Sequence, residues 1–255
     1  MQVMVRGTGP ALVMIHGWAM HGGAFEPLVA RLQDRYTLHL VDLPGHGRSR
    51  DSIVPLTLDA MANAIAAQTP PAPWLGWSLG GLVALHAAQS FPANVRGLLM
   101  LSASPRFVLS PDWPQGMDDA VFAGFARDLG NDYRAAIDRF LMLEAQGSEH
   151  LREEIRLLRA IVFAHGEPTP DALTRGLALL RESDLRGELP RLPMPSLWLA
   201  GRRDRLVSPA AMQAAAAMAP ASTFIEIAGA GHAPFLTHAD PVAQAIIEFC
   251  KGLPA

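Results

Sequence analysis

Short, uninterrupted apolar runs, each closing at or near a glycine, serine, aspartate or proline, alternate along this chain with longer stretches whose apolar residues recur at helical spacing. The runs are "ALVMIH" (11–16), "YTLHLVD" (36–42), "PWLGW" (73–77), "VRGLLMLSA" (95–103), "PSLWLAG" (195–201) and "STFIEIAG" (222–229). Strands read this way when helices cover both faces of a sheet, because burial on two sides removes the polar alternation of a half-exposed strand. The segments between the runs then read as crossover helices. One is "TLDAMANAIAAQ" (57–68), with Thr57 as its N-cap. The pattern predicts an α/β fold built on a mostly parallel, doubly wound sheet.

The alternation stops between about 106 and 184. There Val121, Phe122, Phe125 and Leu129 recur with helical spacing, followed by Tyr133, Ile137, Phe140 and Leu141. Leu151, Ile155, Leu158 and Val162 form a third set, and Leu173, Leu177 and Leu180 a fourth. In "TPDALTRG", Thr169 is the expected N-cap and Pro170 lies in the first helical turn. The expectation is a helical insertion of about four helices over 106–184, with 1–105 and 185–255 forming the sheet-bearing core.

"PWLGWSLGGLVALHAA" (73–88) carries the chemistry. Ser78 stands between a strand and a helix, with Gly76 and Gly80 two residues away on either side. A sharp strand-to-helix turn holds a serine hydroxyl clear of the backbone and tolerates only small neighbours at those positions. The helix that follows aims its free N–H groups at an oxygen beside the serine. Such a hydroxyl needs a base, and the base needs a carboxylate to orient it. Asp204 follows "LWLAGRR" and His232 stands in "IAGAGHAPF", each just past a strand. The order nucleophile, acid, histidine is that of the α/β-hydrolase arrangement.

Among the nine histidines, His16, His46, His86 and His238 read as loop, turn or helix residues. Asp184 precedes its strand and is the weaker acid, while Asp42 precedes the serine and reads as the residue fixing the "LPGHGRS" turn. The backbone N–H groups of Leu79 and of Trp18, in "HGW", are the expected oxyanion donors. There is no HExxH, cysteine cluster or glycine-rich phosphate loop, so neither a metal nor a cofactor is expected.

Composition narrows the setting. The 255 residues are 50% hydrophobic and 18% charged, with net charge −3, which offers no general attraction for nucleic acid or anionic membrane. The single cysteine, Cys250, excludes an internal disulfide and reads as a packed thiol. The start lacks the marks of a secretory signal, and no apolar run nears the ~18 residues of a membrane span. A cytoplasmic monomer is the expectation.

Together, "HGW", "DLPGHGRS", "GWSLGG", "GRRDRLV" and "GAGHAPF" resemble the α/β-hydrolase superfamily over nearly the whole chain. "HGWAMHGGAFEPL", "RFLMLEAQGSE", "SDLRGELPRLPMPSLWLAGRRDRLVSP" and "AGHAPFLTHAD" look more particularly like the pimeloyl-[acyl-carrier protein] methyl ester esterases of biotin synthesis. That resemblance implies the triad Ser78, Asp204 and His232. It also implies a substrate site touching Trp18, Ser78, Leu79 and His232, with a cap segment of Phe140, Leu141, Met142, Leu143 and Glu144. In that segment Met142 replaces a small residue and Glu144 an amide. The brevity of "QVMV" (2–5) leaves open whether the sheet lacks one edge strand.

Phe140, Leu143 and Trp77 are candidates for an apolar tunnel, with plain core packing as the alternative for each. Arg152, Arg156 and Arg159 share one helix face. Their spacing fits a solvated face paired with Glu149, Glu153 and Glu154; the resemblance favours docking of an acidic acyl-carrier protein, with Arg139 joining the patch. Rival readings are another small-molecule serine esterase, lactonase or carbon–carbon bond hydrolase, and a ligand receptor on the same fold.

Overall fold

The computed structural model describes residues 1–253. The first half runs β1 (Gln2–Arg6), β2 (Ala11–Ile15), α1 (Glu26–Leu32), β3 (Thr37–Asp42), α2 (Leu58–Ala66), β4 (Ala72–Trp77), α3 (Leu79–Ser90) and β5 (Val95–Leu101). Four helices follow without a strand: α4 (Asp119–Asn131), α5 (Tyr133–Ala145), α6 (Leu151–Val162) and α7 (Pro170–Glu182). The chain closes with β6 (Ser196–Gly201), α8 (Pro209–Met218), β7 (Ser222–Ile227), α9 (Pro234–Thr237) and α10 (Ala239–Lys251).

The described residues form a seven-stranded sheet in the order β1-β3-β2-β4-β5-β6-β7. All neighbours are parallel except β1, which pairs antiparallel with β3 from Gln2 opposite Asp42 to Arg6 opposite Leu38. "QVMV" is therefore a genuine edge strand. The inner strands are almost wholly buried, whereas the two edges, "QVMVR" and "STFIEI", carry polar and exposed positions. Helix α3, behind the centre of the sheet, is apolar nearly all round and buried on nearly all sides.

Local capping follows the sequence. Thr57 Oγ1 accepts from the Ala60 N–H at 3.3 Å, and Thr169 Oγ1 from the Ala172 N–H at 3.2 Å. Cys250 is half-buried beside Tyr36, and burial pushes its thiol up to about 11, which leaves it unreactive as a nucleophile at neutral pH. Among the described residues no helix is long and apolar enough to cross a membrane.

Topology places the site. From β2 the chain turns to β3 on one side, and from β4 to β5 on the other, although β2 and β4 are neighbours. Parallel α/β sheets open a crevice at the carboxyl ends of such a pair. "HGW" leaves β2 there and Ser78 leaves β4, with α4 to α7 arriving from the β5–β6 connection.

Candidate active site

Ser78 has φ +53° and ψ −117°, a left-handed backbone that costs a residue bearing a Cβ about 1–3 kcal/mol. The surroundings hold it there. Its N–H donates to the Leu101 carbonyl at 3.1 Å, and its carbonyl accepts from the Gly81 N–H at 2.9 Å. A Cβ on Gly76 would lie 2.3 Å from the Gly80 carbonyl oxygen, and one on Gly80 would lie 2.3 Å from the Ile15 carbonyl oxygen. Neither contact is possible, so both neighbours must be glycine for strand and helix to meet at this angle. A Cβ on Gly17 would come 3.2 Å from the Ser78 Cβ, so "HGW" lies directly against the serine.

His232 and Asp204 meet in a buried pair, with His232 Nδ1 2.8 Å from Asp204 Oδ2. The other carboxylate oxygen, Oδ1, accepts from the Leu206 and Val207 N–H groups at 2.8 and 2.9 Å. An acid so held is an acceptor, so the Nδ1 carries the imidazole proton and Nε2 keeps its lone pair. Ser78 Oγ and His232 Nε2 are both buried without a protein hydrogen bond. The bond between such groups commonly tightens only around bound substrate.

His16, read from sequence as a loop residue, fastens the turn that follows β2. The Leu43 N–H donates to its Nε2 at 2.9 Å, so Nδ1 bears the proton and donates to the Gly17 carbonyl at 2.7 Å. Burial first, then His46, lowers its pKa to about 3, which keeps this arrangement neutral. Its place directly before "GW" was the available signal. Asp42 fixes the neighbouring turn as expected, accepting from the Gly22 and Arg48 N–H groups at 2.7 and 2.8 Å.

The cap segment divides. Phe140, Leu141 and Glu144 are fully buried and Leu143 partly so, while Met142 is 55% exposed. Helical geometry turns Met142 about 200° from Phe140, which leaves its side chain on the exposed face of α5. Phe140 lies edge-on to Trp18 at 4.6 Å and to Phe125 at 5.6 Å. The Trp18 indole N–H donates to the Leu173 carbonyl of α7 at 2.8 Å, and Gly176 packs against both Trp18 and Leu79.

Trp77 is buried in the core. It packs on Phe25 and Phe235, and its indole N–H donates to the His232 carbonyl at 2.9 Å, bracing the histidine from the core side. Asp184 stands apart, paired with Arg106 and Arg186 at 2.7 Å each.

The arginine face is exposed. Arg159 pairs with Asp138 at 2.9 Å, and Arg139 pairs with Asp128 while lying over the Phe125 ring. Arg152 and Arg156 make no ion pair among the described residues. The glutamate pairing considered from sequence is not the one formed, since Glu149 pairs with Arg203 and Glu154 is buried.

Residues 10–239 match the family model described as alpha/beta hydrolase fold. A pimeloyl-[acyl-carrier protein] methyl ester esterase from Stenotrophomonas maltophilia (strain R551-3) is 59% identical over 99% of this chain and 97% of its own. One from Xanthomonas oryzae pv. oryzae (strain MAFF 311018) is 56% identical over the whole of both chains. Among solved structures, an esterase from Exiguobacterium antarcticum superposes with a TM-score of 0.86 at 23% identity, covering 98% of this chain and 95% of that one. The enol-lactonase from Burkholderia xenovorans LB400 reaches 0.84 at 18%, covering 98% and 96%; at such identities the likeness speaks for the fold alone. By sequence over its full length and by fold, the chain belongs to the alpha/beta hydrolase fold family and, within it, to the pimeloyl-[acyl-carrier protein] methyl ester esterases.

Proposed function

We propose that this protein is a serine carboxylesterase that hydrolyses the methyl ester of pimeloyl-[acyl-carrier protein], releasing methanol and the free pimeloyl acid on its carrier for biotin synthesis. The observation that carries this reading is the buried Asp204–His232 pair beside a strained serine elbow, in a chain 56–59% identical to esterases of that name. Ser78 Oγ attacks the ester carbonyl as His232 Nε2 takes its proton. The N–H groups of Trp18 and Leu79 receive the oxyanion. The carbon–methoxy bond then breaks, the His232 proton leaves with methanol, and water returns the acid through the same base.

Trp18, Ser78, Leu79, Phe140 and His232 are all fully buried, so substrate reaches the serine when the cap shifts. The apolar Phe140–Trp18–Phe125 cluster is the surface offered to the acyl methylenes, each contributing about 0.8 kcal/mol on burial. Phe140→Ala should therefore lower kcat/KM for a long acyl ester about 10–200-fold relative to a short one. Equal loss on both, measured in parallel, would assign Phe140 to stability instead.

Arg152 and Arg156, with Arg159 and Arg139 in weaker exposed pairs, form the docking face for an acidic carrier. Exposed pairs of this kind are worth about 0–1 kcal/mol and exchange partners readily. Reversing Arg152, Arg156 and Arg159 to Glu should slow association with the carrier-bound ester and spare a small soluble ester, because rim charges chiefly set on-rate. The decisive comparison is kcat/KM for the pimeloyl methyl ester on its carrier against free esters, at low and high salt. A preference for free esters would instead favour a broad-specificity esterase, and a triple variant unimpaired on the carrier would remove the docking face.

A further inference from the structure

The turn between α5 and α6 grips both loops that carry the acid and the base. The His232 N–H donates to the Glu144 carbonyl at 3.2 Å, and the Glu149 N–H donates to the Gly229 carbonyl at 3.1 Å. Glu149 pairs with Arg203, next to Asp204, at 2.8 Å. Inside this grip lies the Glu144 side chain, 0% exposed, with both carboxyl oxygens lacking any protein hydrogen bond. Nothing there supports a carboxylate. Asp204 from the β6–α8 loop is already an acceptor, and Glu154 of α6 uses one oxygen to accept from Ser148 and Thr237 at 2.7 and 2.8 Å.

We propose that Glu144 is a positioning residue that serves the Asp204–His232 pair as a neutral acid, its backbone holding the His232 loop while its protonated carboxyl leaves Asp204 as the charge facing the imidazole. The inference rests on the assignment of Asp204 and His232 made above. An isolated buried carboxylate is costly enough that such a group keeps its proton instead. Burial chiefly, then Asp204 and Glu154, raises the Glu144 pKa well above the usual value. Burial raises Glu154 too, against its bonds to Ser148 and Thr237. The remaining titratable and charged groups around the turn are His232 on its own loop, His150 at the start of α6, His238 near Gly229, and the Glu149–Arg203 pair.

A carboxyl whose pKa is raised on folding must take up a proton to fold. Its contribution is complete below the ordinary glutamate value of 4.5 and declines as pH rises toward the folded value. Glu144→Gln removes this demand. The folded-to-unfolded ratio of the variant should gain on wild type by about tenfold per pH unit from roughly pH 5 upward, measured by urea unfolding of the full chain. Ionisation of Glu144 should lower the wild type's kcat as pH rises and leave the variant's unaffected, whereas the acid limb of kcat/KM should stay in place, since no charge has been removed. A protonated carboxylic-acid band in the infrared difference between wild type and variant at pH 7 supplies a readout that needs no activity. Parallel stability curves, a moved acid limb or a missing band would each show that Glu144 is ionised and overturn the proposal. Because stability and infrared readings need no turnover, they stand apart from failure of the triad, which Ser78 labelling reports.

Discussion

Ser78→Ala should fold like the wild type and lose turnover on every ester by on the order of 10⁶-fold. The backbone at φ +53° is as tolerable to alanine as to serine, and the hydroxyl makes no protein hydrogen bond whose loss would cost stability. What disappears is the proposed nucleophile, while the proposed oxyanion donors and the Asp204–His232 pair remain. The residual rate then measures what those donors achieve with water as nucleophile. A fluorophosphonate traps an activated serine as a stable tetrahedral adduct, so intact-mass spectrometry should find one adduct on wild type and none on the variant. Labelling or turnover of the variant within tenfold of wild type would remove Ser78 from the mechanism.

Asp204→Asn should lower kcat by about 10³–10⁴-fold, with the fold and the Ser78 elbow preserved. The wild-type carboxylate accepts three hydrogen bonds, from Leu206, Val207 and His232. An amide has one acceptor oxygen. If that oxygen keeps the two backbone donors, the amide N–H₂ faces Nδ1 and forces the proton onto Nε2, where the base must have its lone pair. Asp184→Asn is the control. Arg186 first, with Arg106, holds its carboxyl well below the usual range, but the group is partly exposed and lies outside the dyad. Its loss should change kcat by no more than a few-fold. Steady-state kinetics on one soluble ester compares the two, and interchanged effects would reassign the acid.

Much of this arrangement was legible along the chain because the signals are local. A run such as "ALVMI" buried on both faces has no other use in a chain of this size, and Thr57 and Thr169 cap helices within three residues of themselves. The glycines around Ser78 report a collision between backbone atoms only a few residues apart in sequence, together with one from the neighbouring strand. Met142 was legible too: two positions from Phe140, it could not share a helix face with it.

Glu144 and Glu154 show where local pattern stops. Glu144 stands four residues after Phe140 and three after Leu141; Glu154 stands three after Leu151 and four before Leu158. Spacing put both on the inward stripes of their helices, whereas their charge argued for solvent. Which prevailed depended on what the helices meet, and they meet the loops of Asp204 and His232, delivered by strands more than forty residues later. Trp77 followed the same rule, its partner being a carbonyl 155 residues away. The sequence by itself determined six of the seven strands, the caps, the elbow and the order of the reactive groups, since each arises from neighbours on one short segment. Only the tertiary structure decided which polar side chains are sealed inside the cap and which arginines are paired, because burial and ion pairing depend on distances between segments that local pattern does not encode.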